Sequence, residues 1–166
     1  MNYIPVASLG QDSHRFGRQR KKPLILGGVM IEGSRGLIAN SDGDVVLHAI
    51  TNAVSGLSCV NILGTRADRL CFEQCIKDSA EYLKEALSYL KDITITHLSV
   101  SIECSAPMLS SYMTDMRKSI AKLLSLPVEG VGITATTGEK LTASGKGKGI
   151  SVSCLICGIK RLSEII

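Results

Sequence analysis

Apolar stretches of two different periods take turns along this chain, and that alternation limits the fold more than any other feature. Tyr3-Ile4-Pro5-Val6-Ala7-Ser8-Leu9 is short and largely apolar with Gly10 closing it, so it reads as a strand running into a rim. Leu24 to Ile31 reads as a hairpin, because Gly27-Gly28 can supply the positive φ angles of a two-residue turn. Helical spacing begins after Ser41, where Ser41 and Asp44 fit a capping box and Val45, Leu47, His48, Ile50, Val54 and Leu57 follow on one stripe. A second helix is expected over about 77–90 and a third over about 111–124, the latter turning Met113, Met116, Ile120, Leu123 and Leu124 inward. Leu98 to Ile102, Val131 to Thr136 and Ile150 to Ile159 read as strands. The expected fold is a single-domain α/β (α+β) sandwich over residues 1–166. A mostly four-stranded mixed sheet carries about three helices on one face, with a small hairpin beside it.

Composition narrows the class. A chain of 166 residues is long enough for one real core and short for two. A hydrophobic share of 45% argues against disorder, and 4% aromatic residues with no Trp imply an aliphatic interior. No apolar stretch approaches the roughly 18 residues of a membrane helix and no signal peptide is evident, so the cytoplasm is expected, without membrane partners. Cys154-x-x-Cys157 has the spacing of half a zinc knuckle but lacks a second pair, so the six cysteines read as buried free thiols. The net charge of +4 is partly gathered in Arg15 to Lys22, a run that reads as a solvated loop. Only Phe16 accompanies it, so nucleic acid is not an expected partner.

The chemistry concentrates in two places. Asp12 and His14 are two apart, so extended backbone aims both at one point, and His48 offers a second imidazole. An O,N,N set with a fourth position open is the pattern of a catalytic zinc; His48 taken alone reads rather as a core histidine, and its pairing with Asp12 and His14 favours the metal. His48 also lies near the start of its helix, where free N–H groups favour a phosphate. His97 has no such company. The second place is Thr134 to Lys140 with Ser144-Gly145-Lys146-Gly147-Lys148-Gly149. Hydroxyls, glycine-exposed N–H groups and lysines suit a diphosphate, and Glu139 among them suits a Mg²⁺ held against it; a flexible hairpin loop is the alternative.

Gly10-Gln11-Asp12-Ser13-His14-Arg15-Phe16, Leu26-Gly27-Gly28-Val29, Ser41-Asp42-Gly43-Asp44-Val45-Val46-Leu47-His48-Ala49, Ala106-Pro107 ahead of Met116-Arg117, and Ala135-Thr136-Thr137-Gly138-Glu139-Lys140-Leu141 stand in this order, followed by Gly145-Lys146-Gly147-Lys148-Gly149-Ile150. Set out so, the chain resembles the 2-C-methyl-D-erythritol 2,4-cyclodiphosphate synthase family over nearly its whole length. The resemblance implies a homotrimer with active sites between adjacent subunits, in the non-mevalonate route to isoprenoid precursors. The substrate would be a cytidine diphosphate compound, 4-diphosphocytidyl-2-C-methyl-D-erythritol 2-phosphate, whose 2-phosphate attacks the β-phosphorus and expels CMP. It further implies Zn²⁺ or another divalent cation at Asp12, His14 and His48, and Mg²⁺ or Mn²⁺ at Glu139. Thr137 would steady charge at phosphorus, Ala106, Pro107 and Thr136 would frame the cytidine, and Ser41, Gly64, Gly138 and Lys146 would be further substrate contacts.

The chain departs from that pattern at several positions. Asn40 stands where the family usually has a His that steadies the transition state, and an amide donates a hydrogen bond but carries no charge. Lys146 replaces an Arg and loses bidentate phosphate geometry, Met108 replaces a Lys, and Asn52 replaces an acid. The loop that touches the sugar becomes Asn61 to Cys71, in which only Gly64 carries over. An active, divergent cyclase is the expected function; the alternative is a non-catalytic zinc-containing trimer that binds a nucleotide or isoprenoid diphosphate.

Overall fold

The structure, a computed structural model, describes residues 2–18 and 22–162; Gln19, Arg20 and Lys21 of the basic run lie outside the described residues. Four strands form one sheet in the order β1 (Tyr3–Arg15), β6 (Gly149–Arg161), β4 (Ile93–Glu103), β5 (Val131–Thr136). β1 and β4 each run antiparallel to β6, and β4 runs parallel to β5, so the sheet is mixed. A separate ribbon pairs β2 (Leu24–Leu26) with β3 (Val29–Ile31). Its turn residues Gly27 and Gly28 have φ of 59° and 77°, as a two-residue hairpin of this hand requires.

Alternation decides which face of the sheet is covered. Ile150, Val152, Cys154 and Ile156 of β6 and Leu98, Val100 and Ile102 of β4 point one way and are buried. Opposite them Leu9 of β1 pairs with Leu155 of β6, and both are exposed. α1 (Val45–Ser58) lies on the buried face and α3 (Ser79–Ser88) packs on α1. α4 (Met113–Leu124) covers β5 and sends Met116, Ile120, Ala121 and Leu124 into the core. Each such large apolar side chain contributes up to about 1.5–3 kcal/mol by leaving water.

Three expectations are corrected here. β1 does not end at Gly10; it continues to Arg15, so Asp12 and His14 sit within the strand. Gly10 marks the crossing of α1 instead, since a Cβ there would lie 2.0 Å from the Ala49 carbonyl oxygen and 2.5 Å from Ala53 N. The helix starting near Ser41 has its N-cap at Asp44, whose side chain accepts from Val46 N and Leu47 N. The same carboxylate accepts from Gly27 N (2.9 Å) and Gly28 N (2.6 Å), joining the hairpin turn to α1. Finally there are four helices rather than about three among the described residues: α2 (Thr65–Glu73) occupies the segment read as a loop. Its N-cap is Gly64 at φ 104° with no side-chain cap, which removes the usual start signal.

Candidate metal and phosphate site

The close crossing of α1 over β1 builds the first cluster. Asp12 and His14 lie on the helix-facing side of β1, opposite Val152 and Ile150 of β6. Small residues at the crossing let His48 of α1 come down beside them, and Asn52 Nδ2 donates to the Gln11 carbonyl (3.0 Å) to hold the register. Asp12 Oδ2 lies 3.0 Å from His48 Nδ1 and 3.3 Å from His14 Nδ1. One ligand atom from each of the three falls within 4.8 Å of the others.

The electrostatics match a cation at that focus. Burial pushes the Asp12 carboxyl up, but contacts with His14 and His48 outweigh burial and hold it well below the usual carboxylate range. The Asp12 carboxylate in turn draws His14 up from its ordinary value. Close as they are, His14 Nδ1, 3.3 Å from Asp12 Oδ2, is buried and makes no hydrogen bond among the described residues. An imidazole nitrogen buried without a partner and aimed at a carboxylate fits a metal ion of tetrahedral habit.

A cavity of about 360 Å³ opens over this triad and is lined also by Asn40, Ser41 and Gly64. Those three sequence-predicted residues are thus brought to the metal side. Asp68 and Cys71 of α2 line the same cavity, and sequence reasoning missed both because the segment gave no helix signal. Ser41 is nearly buried; its Oγ accepts from Gly43 N (3.2 Å) and lies 3.3 Å from His48 Nε2. Ser79 at the start of α3 is fully buried, with its Oγ 2.9 Å from the same nitrogen. The expected phosphate position at the N-terminus of α1 is not available, since Asp44 already takes the N–H groups of Val46 and Leu47.

The second cluster is elsewhere on the chain. Thr137, Glu139 and Lys146 line a cavity of about 620 Å³ with Ser105, Lys140 and Gly145. Thr137 Oγ1 donates to Glu139 Oε1 (2.9 Å), and Gly138 N donates to Thr136 Oγ1 (3.2 Å). Gly138, Glu139 and Lys140 all have positive φ (70°, 47° and 60°), a tight turn whose two non-glycine members store strain at the cluster. Glu103, absent from the sequence reading, braces the turn: its Oε1 accepts from Gly145 N (3.1 Å) and from the Thr142 hydroxyl. The Ala106-Pro107 peptide is cis, and Cys104 Sγ contacts the Ala106 carbonyl oxygen. Within one chain this cluster and the triad line different cavities. His97 is exposed on β4, away from both.

The sequence matches the YgbB family over residues 6–158. The 2-C-methyl-D-erythritol 2,4-cyclodiphosphate synthase of Chlamydia trachomatis serovar L2b is 47% identical over 156 residues, which cover 93% of this chain and 88% of that protein. Among solved structures, the bifunctional IspDF of Campylobacter jejuni superposes with a TM-score of 0.84 at 28% identity, covering 98% of this chain and 44% of that longer one. The CDP complex of IspF from Plasmodium falciparum gives a TM-score of 0.78 at 25% identity, over 95% of this chain and 97% of that one. The chain belongs to the YgbB family, that of the 2-C-methyl-D-erythritol 2,4-cyclodiphosphate synthases.

Proposed function

We propose that the chain is a phosphorus–oxygen lyase of the non-mevalonate isoprenoid pathway. It converts 4-diphosphocytidyl-2-C-methyl-D-erythritol 2-phosphate to 2-C-methyl-D-erythritol 2,4-cyclodiphosphate and CMP. The observation that carries this reading is the convergence of His14 and His48 on one oxygen of Asp12, in a cavity shared with Asn40, Ser41 and Gly64. Asp12, His14 and His48 would hold Zn²⁺, and Glu139 would hold Mg²⁺ or Mn²⁺. These cations supply, when bound, neutralisation of the crowded phosphate charge and polarisation of a phosphoryl oxygen.

The chain's own residues fold the substrate onto itself. Attacking and leaving groups are on one molecule, so alignment of the 2-phosphate with the β-phosphorus removes most of the entropic barrier. Asn40 donates an amide hydrogen bond on the metal side, and Ser41 keeps a hydroxyl proton to offer a phosphate oxygen. Lys140 and Lys146 bring positive charge to the other side, with Thr137 poised beside Glu139 to steady charge at phosphorus. Gly138, whose φ of 70° and packing on Glu103 leave no room for a side chain, forms the turn that would meet the diphosphate, and Ala106, Pro107 and Thr136 would frame the cytidine.

The two clusters are half-sites, and we place them together between adjacent subunits of a homotrimer. Their separation within one chain supports this, as does the exposed apolar pair Leu9 and Leu155 on the uncovered sheet face. We further propose one domain over 1–166 and a cytoplasmic location, in keeping with six unpaired cysteines. The test is to incubate purified protein with the substrate and Mg²⁺ and follow phosphorus resonances. CMP with a cyclic diphosphate is the expected result. No CMP release by zinc-loaded protein that still binds CDP would refute the cyclase and leave a binding trimer.

A further inference from the structure

We propose that Asp42 and Ser79, neither of which lines the cavity over the triad, fix the His48 ring in the one tautomer that can bind metal. This rests on the reading of Asp12, His14 and His48 as a metal site. Asp42 is a carboxylate that accepts from Ser79 N (3.1 Å), from Asp44 N (3.1 Å) and from the Ser79 hydroxyl. The Ser79 proton is therefore committed to Asp42. Its oxygen can then only accept from His48 Nε2, 2.9 Å away, so that nitrogen carries the hydrogen of the neutral ring.

The consequence falls on the other side of the imidazole. With hydrogen on Nε2, Nδ1 presents a bare lone pair to Asp12 Oδ2 at 3.0 Å. Two acceptors facing each other at that distance repel unless a cation lies between them. Left to Asp12 alone, the ring would place its hydrogen on Nδ1 and donate it to the carboxylate, which blocks ligation. Asp42 and Ser79 pull the hydrogen to the far nitrogen and keep Nδ1 open. Ser41 Oγ, 3.3 Å from Nε2, is a longer second acceptor for the same hydrogen. Asp42 and Ser79 are thus positioning residues, and partners of this kind typically alter metal affinity about 10- to 100-fold.

The experiment uses the full-length wild type, Ser79→Ala and Asp42→Asn, stripped of metal. Zinc affinity is measured by competition with a chromophoric chelator. In parallel, long-range proton–nitrogen spectra of the zinc-free, histidine-labelled proteins at alkaline pH report which ring nitrogen of His48 bears hydrogen. Wild type should bind one zinc per chain with hydrogen on Nε2. Ser79→Ala should bind about 10- to 100-fold more weakly, with hydrogen moved toward Nδ1, and Asp42→Asn should fall between. Tight zinc binding by wild type with equal affinity in both variants overturns the inference and leaves the metal site standing. Weaker binding with an unmoved tautomer also overturns it, since that marks lost packing. No zinc bound by wild type overturns the metal site itself.

Discussion

Gly10→Ala puts the most strain on the contact that assembles the metal triad. The added methyl would meet the Ala49 carbonyl oxygen at 2.0 Å, Ala53 N at 2.5 Å and the Ala53 methyl at 2.9 Å. Two of these are backbone atoms of α1, so no side-chain rotation relieves the clash, and strand and helix must part by about 1 Å. His48 precedes Ala49 and moves with it, widening the 3.0 Å approach of Nδ1 to Asp12. Metal sites tolerate about 0.2 Å in ligand position, so zinc affinity should fall on the order of 100-fold. Overpacking of this kind costs about 1–3 kcal/mol, which for a chain this size lowers the melting temperature by roughly 2–12 °C. Calorimetry of the metal-free protein reads the stability and a chelator competition reads the zinc. Wild-type affinity together with a wild-type melting temperature would refute the claim that α1 rests on β1 at Gly10.

Asp44→Asn should cost about 1–3 kcal/mol in urea unfolding, because an amide nitrogen would face the Gly28 N–H that now donates to Oδ2 at 2.6 Å. Burial pushes the Asp44 carboxyl up to about 6 from 3.8, against the N–H groups of Leu47, Gly28 and Gly27. The folded state thus holds this proton more tightly than the unfolded chain does. Its contribution to stability is full below pH 3.8 and is lost as pH rises through about 6; subtracting the Asp44→Asn curve from that of wild type should reveal that fall. Asn40→His should leave thermal unfolding unchanged and preserve or raise turnover, and a collapse of CMP release would mean that the site is built around the amide. His48→Ala and Asp12→Ala should each lose zinc by elemental analysis, and full zinc content in both would mean misassigned ligands.

Much of the site was legible because its residues obey local periods. Asp12 and His14 needed only the two-residue repeat of a strand, and β5 appears at the bounds expected for it. What stayed hidden depends on contacts distant in sequence. Ser79 lies 31 residues from His48 and looks like an ordinary helix-start serine. Gly10 resembles a strand terminator, and only the α1 backbone across from it explains the missing Cβ. Asp44 was expected as the reaching acid of a capping box, yet the hairpin turn at Gly27 and Gly28 recruits it as the cap itself. α2 carries no cap at Gly64, and its charged sequence reads as loop until Ala67 and Cys71 are seen buried.

The claim that the metal cluster and the phosphate cluster complete one another between subunits is tested most directly by complementation. His48→Ala damages one half-site and Glu139→Ala the other, so neither variant alone should release CMP. Trimers assembled by co-expressing the two in equal amounts should recover about a quarter of wild-type turnover, the share of interfaces that pair two intact halves. Mixed trimers that stay as inactive as either parent would contradict the account.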